Sequence, residues 1–212
     1  MGIIIMGGTG VGKSTVARLL AARTGYTLYE VGHVVKKMYF DSLQNEIQQI
    51  TNNRIETCSY VQDFFHSHSK DYFTKERLQY TEKMIRQHGN DYFVRSLLEV
   101  HKTDDIIIVG ARTKNEINAI LSGMRYPYFV GLMCESDRLV NRFVNREAEF
   151  MDAGVAKSIF RKRKDTELSW GVDSVMNMCN IVLSTDNIEP EELSQYIYDA
   201  YMNFLQKRLL GE

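Results

Sequence analysis

The stretch IIIMGGTGVGKST, from Ile3 to Thr15, constrains this chain more than any other. A run of isoleucines ends abruptly at glycine, as a buried strand does where it enters a tight loop. Gly7, Gly8, Thr9, Gly10, Val11, Gly12, Lys13 and Ser14 fit the pattern Gly-x-x-x-x-Gly-Lys-Ser/Thr, with Thr15 next. Glycines let the backbone turn its N–H groups inward into an anion nest. The helix expected after the loop aims its positive end at the same point. Lys13 can reach the β- and γ-phosphates of a nucleotide, and the Ser14 hydroxyl can ligate Mg2+. A nucleoside triphosphate with Mg2+ is therefore the expected ligand, and residues 7–15 its cradle.

The pattern beyond the loop predicts how it is mounted. Strands are expected at Gly2–Met6, Tyr26–Tyr29, Ile106–Val109, Tyr128–Met133 and Asn180–Leu183. Unbroken apolar runs such as IIIVG indicate strands covered on both faces, as in a parallel sheet. Helical periodicity appears at Lys13–Arg23, Lys75–His88, Asp91–His101, Lys114–Leu121, Asp137–Ala148 and Glu191–Leu210. Alternation of this kind predicts one α/β domain over 1–212 with a five-stranded parallel sheet. The long gap between the second and third strands predicts a helical insertion at 31–101.

Composition removes several functions. The 26 basic and 27 acidic residues nearly cancel, unlike the basic excess of general nucleic-acid binders. No apolar run reaches membrane-spanning length, and the apolar start lacks a basic leader. Gly2 is not expected to be myristoylated, because position 6 is Met. Cys58, Cys134 and Cys179 are widely separated and odd in number, which suits reduced thiols in a cytoplasmic protein. His66, His68 and Cys58 fit no common zinc spacing. No nucleic-acid or membrane partner is expected, and the chain is expected to be a monomer or homodimer.

Three further segments resemble the nucleoside monophosphate kinase group, which includes adenylate kinase and dephospho-coenzyme A kinase. YEVGHVVKK resembles the group's Gly-Asp-x-x-Arg turn: Gly32 matches the glycine, His33 replaces the aspartate, and Lys36 falls where an arginine grips the acceptor phosphate. Lys37 is the alternative one position on. IIIVGARTKNEINAI resembles Asp-Gly-x-Arg, with Val109 at the aspartate and Gly110 and Arg112 matching. SDRLVNRFVNR and FRKRKDTELSWG resemble the arginine-bearing lid, ending in the Glu-Leu-x-Trp-Gly motif of a less-characterised adenylate-kinase-like branch. Glu167, Leu168, Trp170 and Gly171 carry that match.

The resemblance implies a P-loop kinase three-layer fold with 31–101 as the acceptor-binding lobe and 138–167 as a small lid. It implies transfer of the ATP γ-phosphate to a small phosphorylated acceptor, a nucleoside or deoxynucleoside monophosphate first. Lys13, Arg112 and the lid arginines Arg138, Arg142, Arg146 and Arg163 are its expected catalytic cations, and spacing does not rank the last four. Gly32, Lys36 and Arg112 would bind the acceptor, and Ser14 the metal. From Arg138 to Glu167 there are eight Lys or Arg and five Asp or Glu, a local net of +3. A basic lid suits phosphoryl transfer, which depends on charge stabilisation. Asp104, Asp105 and Glu135 are candidate substitutes for the replaced aspartates. The pairs Tyr39-Phe40, Phe64-Phe65, Tyr72-Phe73 and Tyr92-Phe93 are expected to pack helices, and Trp170 to pack the lid on the core. Two alternatives stay open: a dephospho-coenzyme A kinase-like enzyme, whose hydroxyl acceptor wants a carboxylate base, and a regulatory nucleotide binder.

Overall fold

Ile3, Ile4 and Ile5 have no solvent exposure, so the strand that carries them must be covered on both faces. The computed structural model describes residues 1–50, 72–101, 105–148 and 151–211, apart from the side chains of 46–50, 72–76 and 136. In it β1 (Gly2–Met6) is the central strand of a parallel sheet ordered β2-β3-β1-β4-β5. Its neighbours are β3 (Ile106–Val109) and β4 (Pro127–Met133), with β2 (Thr27–Glu30) and β5 (Ile181–Ser184) at the edges. Register aligns Ile5 with Val109, Met6 with Gly131 and Glu30 with Val109. The residues that follow β1, β2 and β3 therefore emerge on one edge of the sheet.

Alternation along the strands sorts the core into two layers. Ile3, Ile5, Ile107, Val109, Val130 and Leu132 face α1 (Lys13–Thr24) and α9 (Pro190–Leu210), joined by Leu20, Ile197 and Tyr201. Ile4, Met6, Ile106, Ile108 and Phe129 face the other way, toward α4 (Tyr92–Val100) and α5 (Lys114–Gly123). Burying each such side chain contributes about 1.5–3 kcal/mol, so the two layers hold the sheet rigid beneath the loop. This is the expected three-layer α/β architecture.

The described parts of 31–101 are helical, as expected: α2 (Val31–Ile50), α3 (Tyr72–His88) and α4. Tyr39 is buried against Tyr80 at 5.4 Å between ring centroids, and Phe93 lies in the core, so two of the aromatic pairs pack helices. Phe64-Phe65, His66, His68, Cys58 and Asp104 lie outside the described residues, as do the side chains of Tyr72 and Phe73. Within 138–167 the chain forms α6 (Ser136–Glu147) and α7 (Ala153–Ser169), and the short α8 (Val172–Met176) follows. Phe143 and Phe160 join α6 to α7, with their rings 5.4 Å apart. Among the described residues no helix is long and apolar enough to cross a membrane.

Candidate phosphate-binding site

The loop after β1 is held by its own sequence. A Cβ on Gly7, whose φ is +134°, would lie 2.2 Å from the carbonyl oxygen of Leu132, so only glycine lets the chain turn this close to β4. Gly10 and Gly12 also take positive φ, 88° and 91°. Val11 plugs the loop into the core beside Val16, Leu132 and Leu139. Gly12 caps α1 without a side-chain bond, and no acidic residue stands in the helix's first turn. The amide end of α1 thus keeps its affinity for an external anion. Lys13 Nζ donates to the Gly8 carbonyl at 2.6 Å, folded back over the loop it is expected to serve.

Arg112 reaches the same place from β3. The segment after Val109 enters α5 through a capping box: Thr113 accepts from Glu116 N, and Glu116 Oε2 accepts from the backbone N–H groups of Arg112 and Thr113 at 2.7 and 2.9 Å. That carboxylate is buried, which raises its pKa against the opposing hydrogen bonds. The Arg112 backbone is therefore fixed at the sheet edge. Its guanidinium lies 5.3 Å from the centre of the Trp170 ring and 3.9 Å from Glu167 Oε1. Its Nε is buried without a hydrogen-bond partner.

Glu167 is the residue the sequence did not assign to the loop. It is only 7% exposed, and its carboxylate accepts from Thr9 N at 2.9 Å and from Thr9 Oγ1 at 2.6 Å. Trp170, expected to pack lid on core, is 41% exposed and faces Arg112 instead. The whole Glu-Leu-x-Trp-Gly segment thus meets the phosphate loop through Glu167 and the third strand's arginine through Trp170.

The four lid arginines divide into two pairs. Arg146 lies close enough to act electrostatically on Lys13, and Arg163 on Arg146 and Arg112. Both stack on Phe143, at 4.9 and 5.2 Å. Arg138 and Arg142 turn to the loop after β5. Arg142 donates to Thr185 Oγ1 and to the Thr185 carbonyl, both at 3.0 Å, and Arg138 to Asn187 Oδ1 at 2.7 Å. Sequence spacing could not separate the pairs, because all but Arg163 lie on one helix face at intervals of four. Arg77 on α3 is a further cation the sequence did not flag; together with Arg146 and Arg112 it presses on Arg163. Desolvation first and these charges next lower Arg163's pKa, with Glu147 opposing.

Other expected residues fall elsewhere. Gly32 and Lys36 were expected in a turn but lie in α2, which begins directly at Val31. No atom stands within 4 Å of a Cβ built on Gly32, so glycine is not sterically required there. Lys36 is exposed. His33 is exposed, 4.0 Å from Glu30 Oε2, and Val109 is buried as the last residue of β3. Asp105 precedes β3, at the opposite end of the strand from Arg112. Glu135 precedes α6, its side chain 3.9 Å from Arg138. The carboxylate that does reach the site from β2 is Glu30, which acts on Lys13 alongside Glu167.

Among the described residues no three His, Cys, Asp or Glu side chains converge as a metal cage. One hydroxyl, Ser14, at the start of α1 suits Mg2+, which keeps several waters and takes its remaining ligands from phosphate oxygens. In this chain Ser14 would hold the ion that enters with a nucleotide.

Burial, and then the charge of Arg112, lower the Lys13 pKa to about 8; Glu167 and Glu30 oppose the shift and Arg146 reinforces it. A bound polyphosphate stabilises the ammonium form and raises that pKa again. Binding must then take up a proton above pH 8. Triphosphate affinity is expected to fall close to tenfold per pH unit above about 8. Calorimetry in two buffers of different ionisation enthalpy would detect the proton; pH-independent binding from 7 to 9.5 would contradict it.

A family model described as an AAA domain matches residues 3–163. No curated protein matches the sequence. Among solved structures, a gluconokinase from Sinorhizobium meliloti 1021 is 13% identical with a TM-score of 0.57, the match covering 100% of this chain and 97% of that one. A sugar kinase from Janibacter sp. HTCC2649 is 18% identical with a TM-score of 0.56, covering 96% and 94%. A shikimate kinase from Acinetobacter baumannii, solved with shikimate, is 14% identical with a TM-score of 0.52, covering 95% and 93%. At such identities the likeness is one of fold, and the fold is that of P-loop kinases.

Proposed function

We propose, from the premise that this chain belongs to the AAA domain family, that it is an ATP-dependent kinase acting on a small phosphorylated acceptor, a nucleoside or deoxynucleoside monophosphate. The carrying observation is the convergence of Lys13, Arg112, Arg146 and Arg163, with Arg77 beside them, at one edge of the sheet. Burial first, and then charges that include those of Arg112 and Arg146, lower the pKa of Lys13 and of Arg163, and cations crowded in this way are costly without anions between them. A triphosphate and a second phosphate would relieve that cost.

In this mechanism Lys13 neutralises the β- and γ-phosphates. Arg146 and Arg163, on the lid (138–167), meet the charge that moves during transfer. Arg112 grips the acceptor phosphate, which already carries the nucleophilic oxygen, and α2, α3 and α4 form the wall of the acceptor site. Mg2+ at Ser14 would supply charge neutralisation between the phosphates.

A hydroxyl acceptor is the second possibility, and Glu30 and Glu167 favour it. Each lies close enough to act on Lys13, and either carboxylate could take a proton from an alcohol. The neighbours named as gluconokinase, sugar kinase and shikimate kinase are consistent with it. A screen of nucleoside monophosphates, deoxynucleoside monophosphates, dephospho-coenzyme A, gluconate and shikimate with ATP and Mg2+ separates the two. ATP hydrolysis that no acceptor accelerates would point to a regulatory nucleotide binder.

Arg112→Lys tests the acceptor assignment. The planar guanidinium grips a phosphate through two donors where an ammonium offers one point charge. The acceptor KM should rise roughly tenfold while the KM for ATP stays within about twofold. Loss of ATP affinity with the acceptor spared would move Arg112 to the donor side.

A further inference from the structure

Thr9 stands in the phosphate loop, and both of its donors, the backbone N–H and the hydroxyl, are spent on Glu167 at 2.9 and 2.6 Å. The partner lies 158 residues away, near the end of α7. Its carboxylate is buried, and a Cβ on Gly8 would come within 3.4 Å of its Oε2. An anion therefore already lies against the mouth of the anion nest. Arg112, 3.9 Å away, is its nearest counter-charge, and Lys13 points to the Gly8 carbonyl.

We infer that Glu167 is an internal latch: a carboxylate of the lid that engages the rim of the phosphate loop through Thr9 and must leave when a nucleoside triphosphate enters. This rests on the P-loop being the triphosphate site. A carboxylate and a phosphate oxygen compete for the same class of donor, and the two anions repel at hydrogen-bonding distance. Ligand entry thus carries a displacement: Glu167 releases Thr9, and Arg112 is freed from its carboxylate neighbour to turn to phosphate. Because Trp170 follows three residues later over the Arg112 guanidinium, the lid's end and the acceptor arginine should move together. The latch makes triphosphate affinity lower than the loop alone would give, and couples filling of the loop to rearrangement of the lid.

The test uses the full chain, calorimetry, and two probes: a non-hydrolysable ATP analogue with Mg2+, and inorganic tripolyphosphate. Glu167→Gln keeps the shape and removes the charge; Glu167→Ala removes the bonds as well. Thermal melts identify a variant that does not fold, and the glutamine variant then decides alone. Both probes should bind roughly tenfold tighter to either variant, the scale of one charge-assisted hydrogen bond. Trp170, the one tryptophan of the chain, should change its fluorescence when wild type binds tripolyphosphate. Equal affinity in wild type and both folded variants, with binding itself intact, would overturn the latch and leave the P-loop assignment standing. Weaker binding in both variants would also overturn it, making Glu167 a support of the bound state. Failure of wild type and both variants to bind either probe would overturn the P-loop assignment, and the latch with it.

Discussion

Lys13→Ala is expected to lower kcat/KM for phosphoryl transfer by at least ~10³, the loss that follows removal of a preorganised charge from the transferring group. The ammonium is held near the loop by the Gly8 carbonyl at 2.6 Å and by the approach of Glu167 and Glu30. Burial, and then the charge of Arg112, hold its pKa down to about 8, so a bound anion would stabilise the ammonium form. The variant should fold: no strand or core residue depends on the lysine head group. Steady-state assay with the best acceptor, with a thermal melt alongside, checks both halves. Turnover within tenfold of wild type would remove Lys13 from the mechanism.

Gly7→Ala is expected to lose at least ~3 kcal/mol of stability, combining a side chain at positive φ with displacement of backbone. The obstructing atom is the Leu132 carbonyl oxygen, 2.2 Å from the new methyl, and it belongs to a buried strand next to β1. A flexible side chain could swing away; this oxygen cannot. Gly12→Ala is the matched control. Its φ is +91°, but no atom stands within 4 Å of the added carbon, so strain alone, about 1 kcal/mol, is expected. Urea denaturation of both variants, without nucleotide, gives the comparison. Equal losses would show that β4 yields and that the loop is less rigidly seated than its contacts imply.

How much of this was legible beforehand depends on the range of the interaction. β1 and β3 were bounded correctly because an uninterrupted isoleucine run between a glycine and a turn has few other solutions. β2 and β5 were each displaced by one residue, and for β2 the displacement matters: it ends at Glu30, not Tyr29, which brings a carboxylate to the edge occupied by Lys13. α2 was expected to open with a turn at Gly32, yet Val31 is buried against the core and helix starts at once. The phosphate loop was visible as a local pattern. Glu167 against Thr9, and Arg77 beside Arg163, join distant segments through a fold that no periodicity encodes. The division of the lid arginines escaped for the same reason: four-residue spacing fixes a face of α6, while the loop after β5 decides which of those arginines it captures.

The packing of α1 against α9 has a consequence for how the protein is made. Tyr26 and Tyr201 meet edge to face at 6.2 Å, and Leu20, Ile197 and Leu205 share one core. α1 ends at Thr24 and α9 begins only at Pro190, so every element between them must leave the ribosome before the helix behind the phosphate loop acquires its cover. Until then an apolar face stays open to other nascent chains and to chaperones. The phosphate loop gains its settled backing only once α9 has emerged, and a chain released before then would present that open face.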